Sequence, residues 1–295
     1  SNTIIFLTGF KLEQLTKDYE SIEENYRYIL YNLTEVVEEL GIKDEPIKVF
    51  ALFTYLYRNG YLSYNKQFKY STNMKDLPYL QGVDVVRGYG VCRSISSMFT
   101  DLCDMLDYTA TNVAVKATST GLSKKEQLCP TDLQTEERGR KFAKMVGKIT
   151  QYLPIGNHLV THLHTSKVTG IFDPTNDIFM EITTGKRYTF ANDSTATMSH
   201  SFISNFASVL LSSSDTEVLP MDLSKHSHIP KISYEDYKRE YEEALQLIKA
   251  SEPLLEALYE VNKPFYERIE ELTKNQHGMV KRVFPIIPTI KRKNK

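Results

Sequence analysis

Apolar side chains at Leu12, Leu15, Tyr19, Ile22, Tyr26, Ile29, Leu30, Leu33, Val36 and Val37 recur at three- and four-residue steps. That period predicts an amphipathic helix over residues 11–40, stopped by Gly41. A second helical pattern runs over 46–58, with Pro46 suited to its first turn and Gly60 to its end. Residues 61–90 carry Pro78, Gly82, Gly88 and Gly90 among tyrosines and polar residues, and read as loops and short irregular pieces. A third helix is expected over 92–106. Its apolar positions Ile95, Met98, Phe99, Leu102, Cys103, Met105 and Leu106 share one face, and Asp107-Tyr108 closes it.

Alternation of Val113 and Val115 then predicts a strand over 112–117. Residues 118–151 are polar and charged, and read as an insertion or long loop with a short helix, long enough to cover a site. Strands follow at 158–164 and 170–172, joined by the polar turn Thr165-Ser166-Lys167, and a further pair at 178–183 and 187–190 turns at Gly185-Lys186. The serine- and threonine-rich stretch 192–214 carries Phe202, Ile203, Phe206, Val209, Leu210 and Leu211, and is expected to be a helix. Residues 234–275 are charged and helical in period, with Pro253 and Pro264 placed to break or kink the helix. Helices flanking a run of short strands give an α+β fold.

Composition narrows the class. At 295 residues, 41% hydrophobic and 25% charged, the chain matches an ordinary globular protein, and disorder throughout is excluded. Lys+Arg at 36 against Asp+Glu at 37 leaves a net charge of -1, so no overall field draws it to nucleic acid. Only the end is basic, from Lys281 and Arg282 to Lys291-Arg292-Lys293-Asn294-Lys295, which reads first as a solvated tail and second as a phosphate or headgroup contact. Three cysteines without CxxC spacing argue against a disulfide framework and a cysteine-rich zinc site. No stretch approaches the roughly 18 apolar residues of a membrane span, and residues 3–10 are too short for a signal sequence. The chain starts at Ser1. A removed export signal would make it extracellular or of the cell envelope, and without one it would be cytoplasmic; the compartment and the oligomeric state are not legible.

Chemistry concentrates at Cys92. A cysteine attacks as its thiolate, and an ordinary thiol with a pKa of roughly 8.5 needs an imidazolium or a helix N-terminus beside it to react well at neutral pH. Cys92 opens the third helix after Gly88 and Gly90, where the helix dipole favours an anion and the Cys92 backbone N–H is placed to donate to an oxyanion. On its own it reads first as a structural cysteine opening a core helix, as single cysteines usually are. Downstream, Gly156-Asn157-His158-Leu159-Val160-Thr161-His162 precedes Gly170-Ile171-Phe172-Asp173-Pro174-Thr175. If these are adjacent antiparallel strands, His158 lies beside Asp173: a base, and a carboxylate that accepts the imidazole N–H and fixes its tautomer.

With these residues the chain resembles the transglutaminase-like superfamily, the papain-fold group with a nucleophilic cysteine at a helix start and His and Asp on following strands. The resemblance rests on Arg87-Gly88-Tyr89-Gly90-Val91-Cys92, continued by Ser94, Phe99, Leu102, Cys103 and Leu106, on the order Cys, His, Asp, and on the 15 positions from His158 to Asp173 with its Asp-Pro-Thr ending. It covers residues 46–190. It implies a papain-like, transglutaminase-like core at 46–190, with an N-terminal helical extension at 1–45 and a C-terminal helical region with the basic tail at 191–295. It also implies a catalytic Cys92, His158 and Asp173 acting on a protein or peptide substrate without a cofactor. The chemistry would be thioester formation, leaning to hydrolysis over amine transfer. Two features depart from the family. Val160 stands where it often has tryptophan, and the chain has no tryptophan at all, which bears on substrate contacts more than on the triad. No acidic loop matches the calcium-regulated members.

Other assignments stay open on the sequence. His158, His162 and His164 fall on one face of a regular strand and permit a metal site. His162 in a shifted register is a second candidate base, and Asp177 a second orienter. Cys103 is expected in the core and Cys129 exposed. Tyr89, or a residue within 70–84, is a candidate second oxyanion donor. The alternative of a different class is an inactive transglutaminase-like binding module acting through its helical flanks.

Overall fold

The computed structural model describes residues 2–71, 81–117, 158–181, 187–189, 194–196, 200–202, 216–217 and 231–274. The expected insertion at 118–151, the Gly185-Lys186 turn, Cys129 and the basic tail lie outside them. The described elements form an α+β fold. In chain order they are α1 (Asn2–Glu39), α2 (Pro46–Arg58), β1 (Lys69–Tyr70), α3 (Val83–Val86), β2 (Tyr89–Gly90), α4 (Cys92–Met105), β3 (Thr109–Ala117), β4 (His158–His164), β5 (Thr169–Asp173) and β6 (Ile178–Glu181). There follow β7 (Arg187–Thr189), β8 (Ser194–Ala196), β9 (His200–Phe202), β10 (Thr216–Glu217), α5 (Tyr234–Ala250) and α6 (Glu252–Lys274).

Strands β3 to β8 run antiparallel in sequence order. β9 pairs antiparallel, and β10 parallel, with the free edge of β3. The stretch 192–214 was expected to be helical, and here the structure differs: Ser194–Ala196 and His200–Phe202 are strands, paired with β7 and β3. Serine and asparagine compete with helical hydrogen bonds and threonine is stiff at χ1, so open sheet edges outweigh the scattered apolar positions. The helices follow their end signals. Pro46 starts α2, Ser233 caps α5 by accepting the Asp236 N–H at 3.1 Å, and the chain breaks at Ser251 with Pro253 in the first turn of α6. α6 continues through Pro264.

The period-2 alternation divides the sheet between two clusters. Leu163, Phe172, Phe179 and Tyr188 enter the main core, whereas Val113, Val160, Ile171 and Met180 form a second buried cluster on the other face. The main core draws on α1, α2, α4, α5 and α6 as well, from Ile22 to Ile269. At its centre Phe50 meets Phe172 and Phe99 edge-on, with centroids 5.0 and 5.5 Å away, and Phe179 lies 4.9 Å from Phe172. The C-terminal helices are tied in by polar contacts too: Tyr266 donates to Tyr61 O at 2.8 Å and Tyr259 to Tyr64 O at 3.0 Å.

Helix α4 is buried on more than its apolar face. Ser94, Ser96, Ser97 and Thr100 are buried as fully as Ile95 and Phe99. Ser96 donates to Leu159 O at 2.8 Å, Thr161 donates back to Ser96 O at 3.2 Å, and Thr100 bonds Asn112 and Thr161 at 2.8 and 2.9 Å. Each hydroxyl would cost free energy if buried unpaired, so this polar ladder fixes α4 against β3 and β4 in one register. That register sets the start of α4 against the start of β4.

Candidate active site

Cys92 is the first residue of α4, after Val91 in extended backbone that gives no side-chain cap. The approach to it needs glycine. Gly88 has φ +94°, and a Cβ at Gly90 would meet Ser94 Cβ at 2.8 Å, closer than real Cβ contacts come. No side chain caps the start of α4, and the partial positive charge of its N-terminus lies at the thiol. Cys92 is 8% exposed.

His158, at the start of β4, is 9% exposed, and Asp173, the last residue of β5, is 2% exposed. The β4–β5 register pairs Thr161 with Phe172, so the two strands bring the histidine and the aspartate to the same end of the hairpin. His158 Nε2 lies 2.7 Å from Asp173 Oδ2. The Cys92 thiol interacts with the same ring and is one of the causes that raise its basicity. With Nε2 donating to the carboxylate, Nδ1 is the nitrogen left for the thiol. The three sequence candidates thus lie in one row, sulfur to imidazole to carboxylate.

Electrostatics favour a charged imidazole in that row. Burial works against the imidazolium, but the charge and hydrogen bond of Asp173, with the contact from Cys92, outweigh it and hold His158 well above its ordinary value. An upward shift means the folded protein holds this proton more tightly than the unfolded chain. The resulting stabilisation is complete below about pH 6.5 and is lost as pH rises through the folded value. Urea unfolding midpoints should therefore fall as pH is raised from 6.5, and more steeply in the parent protein than in His158→Gln; equal slopes would contradict the coupling.

Asn176 was not singled out by sequence. Its side chain donates to Asp173 Oδ2 at 2.9 Å, its backbone N–H reaches Asp173 Oδ1 at 3.3 Å, and its amide nitrogen lies 3.4 Å from His158 Nε2. Asp173 is thus held by donors from its own turn. The signal available was an asparagine three residues after the aspartate, the spacing at which a carboxylate accepts a turn N–H. Also absent from the sequence reading are Tyr57 and Arg58 at the end of α2. Tyr57 donates to Pro174 O at 2.6 Å, and Arg58 to Thr175 O at 3.1 Å. Burial pushes the Tyr57 phenol up to about 12, so it remains a donor at neutral pH.

The competing assignments separate in space. Asp177 does not reach the histidine; it accepts the Tyr241 hydroxyl of α5 at 2.7 Å. His162 pairs in register with Ile171, and His164, exposed, bonds Thr169 at 2.7 Å. Among the described residues no group of three or more His, Cys, Asp or Glu is placed to hold a metal ion. Cys103 is fully buried in the main core, where burial first, then Asp101 and Asp104, raise its thiol well above the ordinary value. The Arg87 guanidinium lies 5.0 Å from the ring centroid of Tyr89, the candidate second oxyanion donor. Among the described residues no helix is long and apolar enough to cross a membrane. Comparison with protein-family models, with curated proteins and with solved structures finds no match.

Proposed function

We propose that the protein performs thiol-dependent acyl chemistry on a peptide or amide, through Cys92, His158 and Asp173 set in a transglutaminase-like, papain-like core. The observation that carries this reading is the row at the start of α4: a buried imidazole that meets a buried carboxylate at 2.7 Å and interacts with the Cys92 thiol. An α4 packed on an antiparallel sheet agrees with such a core.

The chemistry follows from the positions. The Cys92 proton passes to His158 Nδ1, and Sγ bonds to the substrate carbonyl carbon as its C–O π bond opens to an oxyanion. The backbone N–H of Cys92, first residue of α4, is the donor proposed for this charge. As the carbonyl re-forms and the C–N bond breaks, His158 gives its proton to the leaving amine. Water, losing a proton to His158, then attacks the thioester; the C–S bond breaks, the acid leaves and the thiol is restored. An amine in place of water makes the reaction a transfer. Hydrolysis is the preferred outcome, since family members of bacterial type are more often hydrolases.

Alkylation with iodoacetamide near pH 7, read by peptide mass spectrometry, tests the site without knowledge of the substrate. An ordinary thiol is only a few per cent thiolate at pH 7, so Cys92 should outpace Cys129 and Cys103 by about tenfold or more. The advantage should vanish in His158→Ala. A Cys92 that is inert in the folded protein would leave a non-catalytic binding module instead.

A further inference from the structure

The turn that follows Asp173 is held from outside by two helices. Tyr57 and Arg58 of α2 take the carbonyls of Pro174 and Thr175. Tyr241 of α5, 64 positions further along the chain, takes the side chain of Asp177. Asp177 is 4% exposed and sits at φ +57°, a left-handed conformation that aspartate tolerates because its side chain engages nearby donors. Burial raises its carboxyl above the ordinary range, while the Tyr241 hydrogen bond and the charge of Arg58 act in the opposite direction. Tyr241 itself is 3% exposed and its phenol is held far above its ordinary value, chiefly by burial, so it donates at any working pH. Its ring is fixed by Phe50 at 6.3 Å and Tyr237 at 5.9 Å, and Tyr237 in turn stacks on Phe179 of β6. The hydroxyl therefore points at Asp177 from a rigid wall.

We infer that Tyr241 is a positioning residue for the site: by holding Asp177 it fixes the turn 173–177, and so keeps Asp173 on His158. The inference rests on the proposed acyl chemistry for its meaning, and on the hydrogen bonds alone for its geometry. Without the Tyr241 hydroxyl a buried carboxylate loses a donor, which is costly, and the turn relieves that cost by letting Asp177 swing toward water. Asp173 lies at the other end of the same short turn, and Asn176, its own donor, lies between them. A displacement of about 1 Å at a reacting group costs roughly 10²-fold in rate, so partial loosening should cost about tenfold. The C-terminal helical region then belongs to the site, since α5 supplies a contact that residues 46–190 lack.

The test combines Tyr241→Phe, Asp177→Ala, the double variant and Asp177→Asn with three readouts: alkylation rate of Cys92 per folded molecule, NMR titration of the His158 ring, and the urea midpoint. Facing that ring are Cys92 from α4, Asp173 from β5 and Asn176 from the turn. Tyr241→Phe and Asp177→Ala should each slow alkylation about tenfold, and the double variant should be no slower than either, because both remove one contact. Asp177→Asn, whose amide oxygen still accepts the hydroxyl, should regain most of the loss. His158 should titrate lower in Tyr241→Phe, moving toward its ordinary value. Losses that multiply in the double variant overturn the inference, as does a lowered urea midpoint with His158 titration unmoved. A slow Cys92 in the parent protein would instead sink the proposed function, and the His158 titration would still decide the role of Tyr241.

Discussion

Asp173→Asn is expected to lower the proposed acyl chemistry by about 10³–10⁴-fold while leaving the protein folded. The substitution keeps the shape of the side chain, and Asn176 can still donate to its oxygen. Two things change. The negative charge that chiefly holds His158 above its ordinary value is gone, so burial, opposed then only by the contact from Cys92, disfavours the imidazolium. An amide that turns its NH2 toward Nε2 also demands a lone pair there, which places the ring proton on Nδ1, facing the thiol. A ring in that tautomer cannot accept the Cys92 proton. Turnover on an amide library, with alkylation of Cys92 at pH 7 as the substrate-free measure, reads the loss; a rate within about threefold of the parent would remove Asp173 from the proposed triad.

Phe172→Ala should destabilise the protein by about 3–5 kcal/mol, a large share of the 5–15 kcal/mol that keeps a domain folded. Phe172 is fully buried and touches three other rings, Phe50 of α2 at 5.0 Å, Phe99 of α4 at 5.9 Å and Phe179 of β6 at 4.9 Å. It joins the helix that bears the thiol to the strand that bears the carboxylate, and the next residue is Asp173. Removing the ring leaves a cavity walled by two helices and a sheet, whose mutual packing limits how far it can collapse. Equilibrium urea unfolding measures the change. A loss below about 1 kcal/mol would show that these elements close over the space, and that the aromatic cluster is not what fixes their spacing. Tyr57, which shares the wall through Phe53 and holds Pro174, bears the same double duty of packing and placing the turn.

Much of the architecture was legible because its signals are local. Pro46 and Arg58 bound α2 as the pattern predicts, and the α4 start at Cys92 follows from the first apolar repeat after Gly90. The hairpin turn at Thr165 closes through its own backbone and hydroxyl bonds to Val168, at 2.8 and 2.9 Å. The strands at 194–196 and 200–202 do not follow from the local pattern, because apolar spacing in a serine-rich stretch says little about which sheet edges are open. The buried polar side of α4 escaped for a related reason: serine and threonine read as solvent-facing until a strand offers them partners.

The sequence by itself determined which groups are the candidates, since a thiol after two glycines at a helix start and a histidine and aspartate at matched hairpin ends are properties of order and spacing. Tertiary structure decided the rest. It set His158 rather than His162 beside Asp173, gave Asp177 to Tyr241, added Asn176 to the carboxylate, and buried Cys103 out of reach. A hydrogen bond depends on a few tenths of an ångström between groups that can lie 64 positions apart in the chain, as Asp177 and Tyr241 do. Periodicity fixes the face of an element, whereas that distance is fixed only when helices and sheet pack against one another.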